Sequence, residues 1–372
     1  MYICSLRSQI EALDPYTPGL SIDEIRQKYG LTSIIKMASN ENPLGTSPLV
    51  QEAIARHAGD VFRYPRGGNP RLIEALANHH GVSRNSLVVG NGSDEIIDLL
   101  IRILADPDKH TIVCSNPCFA LYPIQSRIAG VPLRRTQLKE DFSFDFEGLL
   151  SSVDEKTRLV FLTTPDNPSG FCPEREHVLQ FAKDISKKND HCLLLIDEAY
   201  MDFAPDEKAA SLLAGHCMPD NVGIMRTFSK SFGLAGLRLG YAVLPETLAN
   251  AFWRARLPFS VNILAEEAGL AALTDTAFRE ATLETVRTER ARLFEELRAL
   301  GCTVWPSAAN YLLFALPKGM GSAEDCFTTL LQAGIIIRLL KSYSLPSHIR
   351  VSIGNTQENT AFLRAMRSYL SR

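Results

Sequence analysis

The sequence lacks a strong charge of either sign: 39 basic and 42 acidic side chains leave a formal −3 over 372 residues. That balance excludes a general attraction for nucleic acid or an anionic membrane and leaves room only for local anion sites. It also lacks any run of about 18 apolar residues with few charges, so no membrane-spanning helix is expected. The opening MYICSLRSQIEALD has no apolar leader core, and a cytoplasmic location is the expectation. Cysteine is thinly scattered, at positions 4, 114, 118, 172, 192, 217, 302 and 326. Cys114 and Cys118 are the closest pair, but no second such cluster or nearby histidine completes a zinc site, so structural thiols and no metal are expected. Walker A and GxGxxG motifs, internal repeats and low-complexity tracts are all missing.

What is present is a chain long enough for two unequal domains, with an ordinary 45% of hydrophobic residues. Residues 1–35 read as an arm that must pack on something else, with a turn at Asp14-Pro15-Tyr16-Thr17-Pro18-Gly19 and a helix around Ile22 to Tyr29. SPLVQEAIARHAG and NPRLIEALANHHG carry helical spacing, the first with Leu49, Ala53, Ile54 and His57 on one face. Short apolar runs then alternate with helix-sized segments: strands are expected at 86–90, 111–115, 158–163, 191–197, 223–228 and 239–244, and helices at Asp94 to Leu104 and Arg175 to Lys187. Such alternation predicts a large three-layer α/β/α domain, residues 36–260, around a mostly parallel sheet. After it, residues 261–372 mix long helices with strands at IIIRLL and HIRVSIG, which predicts a smaller α+β domain.

Four loops following apolar segments concentrate chemistry. VVGNGSDEI leads from a strand through two glycines into a helix start at Ser93 and Asp94, a cradle for an anion. TTPDNPSG sets Asn167 in a rigid turn, HCLLLIDEAY ends a strand on Asp197 and Tyr200, and TFSKSFGLAGLRLGY presents Lys230 between two serines with Arg238 behind it. Taken singly, each has a plainer role: Asp197 can cap a helix, Asn167 can close an Asx turn, and Lys230 can be a solvated charge. In an open α/β sheet, however, the carboxyl ends of the strands face the ligand crevice, and together these groups suit a phosphorylated electrophilic cofactor.

The ordered set PYTPG, SNENPLG, RYPRGG, GNGSDEII, NPCFALY, TPDNPSG, DEAY and TFSKSFGLAGLRLGY, with arginines at 338 and 350, resembles the fold-type I pyridoxal-phosphate aminotransferases over nearly the whole chain. The resemblance implies pyridoxal 5'-phosphate as cofactor, with Lys230 as its covalent anchor and proton carrier and Asp197 at the pyridine nitrogen. It places Asn167 and Tyr200 at the phenolic oxygen and Phe119 stacked on the ring. Ser93, Asp94, Ser229 and Arg238 would hold the phosphate, with Tyr64 reaching it from the neighbouring subunit of a homodimer. Two departures stand out: Asp166 and Ser169 replace the asparagine and threonine common in relatives, and both keep the turn small and polar.

For substrate the resemblance implies transamination of L-histidinol phosphate with 2-oxoglutarate, giving imidazole acetol phosphate and L-glutamate in histidine biosynthesis. Arg350 would meet the α-carboxylate of glutamate and, in the other half-reaction, the donor's phosphate. Arg338 and Tyr16 would assist at that phosphate, and Asn42 would position the arm or the substrate. Structural salt bridges are the plainer role for both arginines, and packing of the arm for Tyr16. The alternatives are an aromatic or other amino-acid aminotransferase, a threonine-phosphate decarboxylase, which labilises a carboxylate instead of a Cα–H bond, or a cofactor-binding protein without turnover.

Overall fold

The computed structural model describes residues 5–11, 13, 26, 30, 31, 33–215 and 218–372. In chain order the strands are β1 (Ile35–Lys36), β2 (Leu87–Asn91), β3 (Thr111–Asn116), β4 (Leu133–Gln137), β5 (Thr157–Thr163), β6 (Leu193–Asp197), β7 (Val222–Thr227), β8 (Leu239–Val243), β9 (Thr303–Val304), β10 (Tyr311–Ala315), β11 (Ile335–Ile336), β12 (Arg338–Leu340) and β13 (Leu345–Ser352). Seven of them form one sheet in the order β2-β8-β7-β6-β5-β3-β4. Strands β7, β6, β5, β3 and β4 are mutually parallel, while β8 runs antiparallel to both its neighbours.

The continuous apolar runs are explained by burial on both faces. Along β5 and β6, Val160, Leu162, Leu194 and Ile196 point into one core cluster, and Leu159, Phe161, Leu193 and Leu195 point into another. The first cluster is closed by the helices Pro48–His57, Pro70–His80, Arg175–Lys188 and Ile263–Thr274, and the second by Ser93–Leu104 and Glu246–Ala255. This is the three-layer α/β/α arrangement. Pro48 and Pro70 open their helices, where a missing N–H costs nothing, and Gly81 ends the second in the left-handed conformation.

The smaller α+β unit has an antiparallel sheet, β12-β13-β10-β9, covered by Thr276–Ala299, Ala323–Gln332 and Thr356–Leu370. Three features depart from the sequence reading. Strand β4, LRRTQ, was not expected because it is polar and only partly buried, which is what a sheet edge tolerates. IIIRLL is divided at Ile337: β11 pairs parallel with β1, and β12 joins the antiparallel sheet. Leu49 is exposed, and the inward residue of its helix is Val50. The turn expected at residues 14–19, with Tyr16, lies outside the described residues, as does all of the expected helix around Ile22 to Tyr29 except Arg26.

Candidate active site

The parallel strands deliver their carboxyl ends to one edge, and a cavity of about 230 Å³ opens there. It is lined by Ser93, Asp94, Phe119, Asn167, Asp197, Tyr200, Ser229, Lys230, Arg238, Arg338 and Arg350, side chains drawn from both units. The sheet topology thus gathers residues more than 250 positions apart.

Lys230 follows β7 in a loop with little freedom. Ser229 N donates to Thr227 Oγ1 at 3.1 Å, and Gly233 N donates to Lys230 O at 3.1 Å. At Gly233, φ is +69° and an added Cβ would fall 2.1 Å from Gly45 O, so only glycine lets the loop seat against SNENPLG. Lys230 Nζ donates to Ser39 O at 3.2 Å and lies 5.6 Å from the centre of the Tyr200 ring. Burial, and after it the Arg350 charge, pushes Lys230 down to about 8.

At the far end of the cavity, Gly92 (φ +76°) turns the chain from β2 into the Ser93–Leu104 helix. The helix start aims unpaired N–H groups and the positive end of its dipole at the cavity, and Arg238 adds a guanidinium paired to Asp94 Oδ2 at 3.1 Å. An added Cβ on Gly92 would meet Arg238 Nη2 at 2.5 Å, and one on Gly240 would meet Ser93 N at 2.4 Å. Both glycines keep the cradle open.

Asp197 ends β6 fully enclosed. Its Oδ1 accepts from Ala199 N at 3.1 Å, and its Oδ2 accepts from the Tyr122 hydroxyl at 2.8 Å. The same hydroxyl lies 2.7 Å from Thr163 Oγ1, so a chain Thr163 to Tyr122 to Asp197 satisfies all three when the carboxylate is ionised. Burial still pushes Asp197 up to about 6.

On the opposite wall, Arg350 from β13 donates through Nη1 to Asn167 Oδ1 at 2.6 Å and through Nη2 to Ala38 O at 2.9 Å. Because guanidinium only donates, this contact fixes the Asn167 amide with Nδ2 as the donor left for a ligand. Arg350 Nε is buried without a partner among the described residues. Tyr200 accepts from Asn40 Nδ2 at 3.1 Å, so its own proton is likewise left for a ligand. Arg338 lines the cavity with no protein partner among the described residues.

Two expected residues lie elsewhere. Asn42 sits outside the cavity lining: its Nδ2 donates to Ser231 O at 2.8 Å and lies 3.2 Å from Thr282 Oγ1, so it braces the Lys230 loop from behind. Tyr64 is 81% exposed, stacked on Phe259 with ring centres 4.8 Å apart.

Sequence reasoning missed Tyr122 and the charged cluster under the loops. Arg226 is buried against Glu198, 2.6 Å away, and Glu207, 2.7 Å away; Arg279 reaches Asp202 at 3.0 Å, and Ser231 Oγ donates to Asp202. Burial alone would raise Asp202, but Arg279 and Arg226 together hold it below the usual carboxylate range. Tyr122 sits three residues past Phe119 at the start of a helix, a spacing that could have signalled a shared wall.

Comparison with known proteins follows the same lines. The family model for aminotransferase class I and II matches residues 32–366. A histidinol-phosphate aminotransferase of Nitratidesulfovibrio vulgaris is 54% identical over 365 residues, covering 98% of this chain and 96% of that protein. One from Oleidesulfovibrio alaskensis is 52% identical, covering 99% and 96%. The crystal structure of histidinol-phosphate aminotransferase from Sinorhizobium meliloti in complex with pyridoxal-5'-phosphate superposes with a TM-score of 0.89 at 28% identity, over 100% of this chain and 98% of that one. L-threonine-O-3-phosphate decarboxylase from Porphyromonas gingivalis shares the fold, with a TM-score of 0.79 at 21% identity over 91% of this chain and 100% of that one.

Proposed function

Since the chain belongs to the class I and II aminotransferases, we propose that it moves the amino group of L-histidinol phosphate to 2-oxoglutarate, using pyridoxal 5'-phosphate. The products are imidazole acetol phosphate and L-glutamate, a step of histidine biosynthesis. The observation that carries this reading is the meeting, in one cavity, of a depressed lysine, a buried acid, an anion cradle and two guanidinium groups with capacity to spare.

The residues fit the cofactor. The N–H groups at Ser93 and Asp94, the Ser229 hydroxyl and Arg238 would hold its phosphate, and Phe119 would lie against its ring. Asp197 would hold a proton at the ring nitrogen, since a positive neighbour and a carboxylate each favour the other's charged form. Asn167 Nδ2 and the Tyr200 hydroxyl are the donors left for the phenolic oxygen. When bound, the cofactor supplies an electron sink that acidifies the substrate's Cα–H bond and carries the amino group between half-reactions. Lys230 would be the covalent anchor, and its Nζ, when free and neutral, would be the base that carries the substrate's Cα proton. Its depressed pKa keeps a useful neutral fraction near pH 8.

Arg350 Nε offers the missing contact for an anionic substrate group: the glutamate carboxylate in one half-reaction and the donor's phosphate in the other. Arg338 is assigned to that phosphate as well, with Tyr16 from the arm, while Asn42 acts through Ser231. The division into arm 1–35, large domain 36–260 and small domain 261–372 belongs to the same reading. A homodimer in the cytoplasm completes it. Val61, Phe62, Tyr64, Leu257 and Phe259 are exposed, Phe62 at 74% and Leu257 at 70%, with Tyr64 stacked on Phe259, and a second copy would cover this surface while Tyr64 reaches its phosphate.

The test is a single half-reaction of the purified holoenzyme against a panel of amines. Histidinol phosphate should discharge the aldehyde cofactor's absorbance with stoichiometric oxo product and no carbon dioxide. Preferential turnover of phenylalanine would replace the substrate, carbon dioxide from threonine phosphate would replace the reaction, and rapid turnover by Lys230→Ala would remove the role of the lysine.

A further inference from the structure

Just before Phe119 in the chain stand two thiols that face each other. Cys114 lies within β3, fully buried, and Cys118 follows two residues after that strand ends, 8% exposed. Their sulfurs are 3.6 Å apart, with the Cys114 S–H donating to Cys118. The intervening turn is closed by Ser115 Oγ donating to Pro117 O at 3.3 Å, which holds the two side chains toward each other. Cys118 borders a second cavity of about 440 Å³, lined also by Arg135, Arg338 and Tyr343, so a small oxidant can reach it. Cys114 has no such access; its hydrogen bond to Cys118, and then its burial, push the thiol well above the usual range. The other free cysteines, at 172, 192, 302 and 326, pair with a hydroxyl, a carbonyl or a methionine sulfur, or are simply buried.

We propose that Cys114 and Cys118 form a dithiol that oxidises to a disulfide, a modification site bordering the second cavity and adjacent in the chain to Phe119 of the active-site cavity. A peroxide oxidises the Cys118 thiol to a sulfenic acid and leaves as water. The Cys114 sulfur then attacks the Cys118 sulfur, the S–S bond forms, and the hydroxyl departs with the Cys114 proton as a second water. Two thiols lose two protons and two electrons, and one peroxide becomes two waters.

The sulfurs must close by about 1.5 Å to bond. Cys114 is fixed between β4 and β5, whereas Cys118 begins the irregular segment that leads to the Leu121–Ala129 helix. The adjustment therefore falls on Cys118 and on Phe119 beside it. A bridge closing so short a loop restrains little of the unfolded chain, so it serves as a reversible mark more than a staple.

The experiment exposes the reduced protein to hydrogen peroxide, alkylates remaining thiols with N-ethylmaleimide, and analyses the tryptic peptide 110–127, which holds both cysteines. The expected product has lost two hydrogens, carries no maleimide and regains both thiols with dithiothreitol. In Cys114→Ser the same treatment should stop at an oxidised Cys118. Both thiols remaining alkylatable, or Cys118 sulfinic acid beside a free Cys114, would overturn the pairing. The consequence for the site rests on the proposed role of Phe119 and is read separately. Pyridoxal phosphate should quench the fluorescence of the oxidised apo-protein with affinity weakened by up to about tenfold, the range of one stacking contact, and dithiothreitol should restore it. A disulfide that leaves this affinity unchanged would overturn the coupling while leaving the dithiol intact.

Discussion

Replacing Tyr122 by phenylalanine removes one oxygen from the support of Asp197, and with it the partner of the Thr163 hydroxyl, while keeping the ring. The ring is fully buried and stacked on Phe161, with centroids 4.2 Å apart and planes 6° from parallel, a contact that phenylalanine keeps. The hydroxyl is the only side-chain donor to the Asp197 carboxylate among the described residues, at 2.8 Å. A hydrogen bond to a charged group contributes about 1.5–3 kcal/mol, and one pKa unit is about 1.4 kcal/mol, so its loss should raise the Asp197 pKa by about one to two units. The starting point is already about 6, because burial disfavours the charged form. Asp197 must be ionised to hold a proton at the ring nitrogen, so cofactor capture fails as pH falls through its pKa, and the variant should fail at a higher pH. Titrating the apo-protein with pyridoxal phosphate from pH 5 to 9, by fluorescence quenching, reads this directly. An acid limb that moves upward by a unit or more, with little change above pH 8.5, is expected. An unmoved limb in a folded variant would show that Tyr122 does not set the charge of Asp197.

Other perturbations follow from the same contacts. Asp166 is fully enclosed, with Oδ1 lacking a partner among the described residues and burial pushing it up to about 7; the native state thus keeps a proton that the unfolded chain loses near pH 4, so stability falls from about pH 4 upward and the loss is complete once pH passes 7. Asp166→Asn should therefore be more stable than the parent at pH 8, by up to roughly 4 kcal/mol, by less than half of that at pH 5, and at parity only below about pH 4, measured by urea unfolding. Arg350→Lys cannot reproduce the contacts to Asn167 and Ala38 while also meeting a ligand, and kcat/KM for 2-oxoglutarate should fall by about a hundredfold or more in steady-state assays. Gly92→Ala combines φ of +76° with a Cβ at 2.5 Å from Arg238 Nη2, and cofactor affinity should drop by at least about tenfold with the circular dichroism spectrum unchanged.

The parallel strands were legible because burial on both faces writes an unbroken apolar run, and the loop residues because they sit where such strands end. Strand β4 was not, since an edge need not be apolar, and the division of IIIRLL depends on partners, β1 and β13, that are remote in sequence. The place of Arg350 in the cavity was legible, but not its hold on Asn167 across 183 positions, which decides how the amide points. Asn42 reads as a pocket residue in SNENPLG, yet Ser231 and Thr282 take up its amide. Pairing of this kind is a property of the folded chain, and no local pattern carries it.

The buried charges explain why the loops can be both tight and polar. Glu198 directly follows Asp197, and Ser231 directly follows Lys230; their partners, Arg226 and Asp202, are themselves joined at 3.4 Å, and Arg279 brings in the Thr276–Ala299 helix. Isolated, any of these charges would be costly to enclose, but each meets opposite charge and hydrogen-bond donors, which offsets the desolvation. A shift of that helix would leave Asp202 without one of its two cations, so moving the small unit against the Lys230 loop costs part of the charge pairing that offsets the burial of Asp202. The loop of Lys230, the proposed catalytic lysine, is thereby tied to the Thr276–Ala299 helix of the small unit, which also carries Arg338 and Arg350, by charges outside the cavity lining.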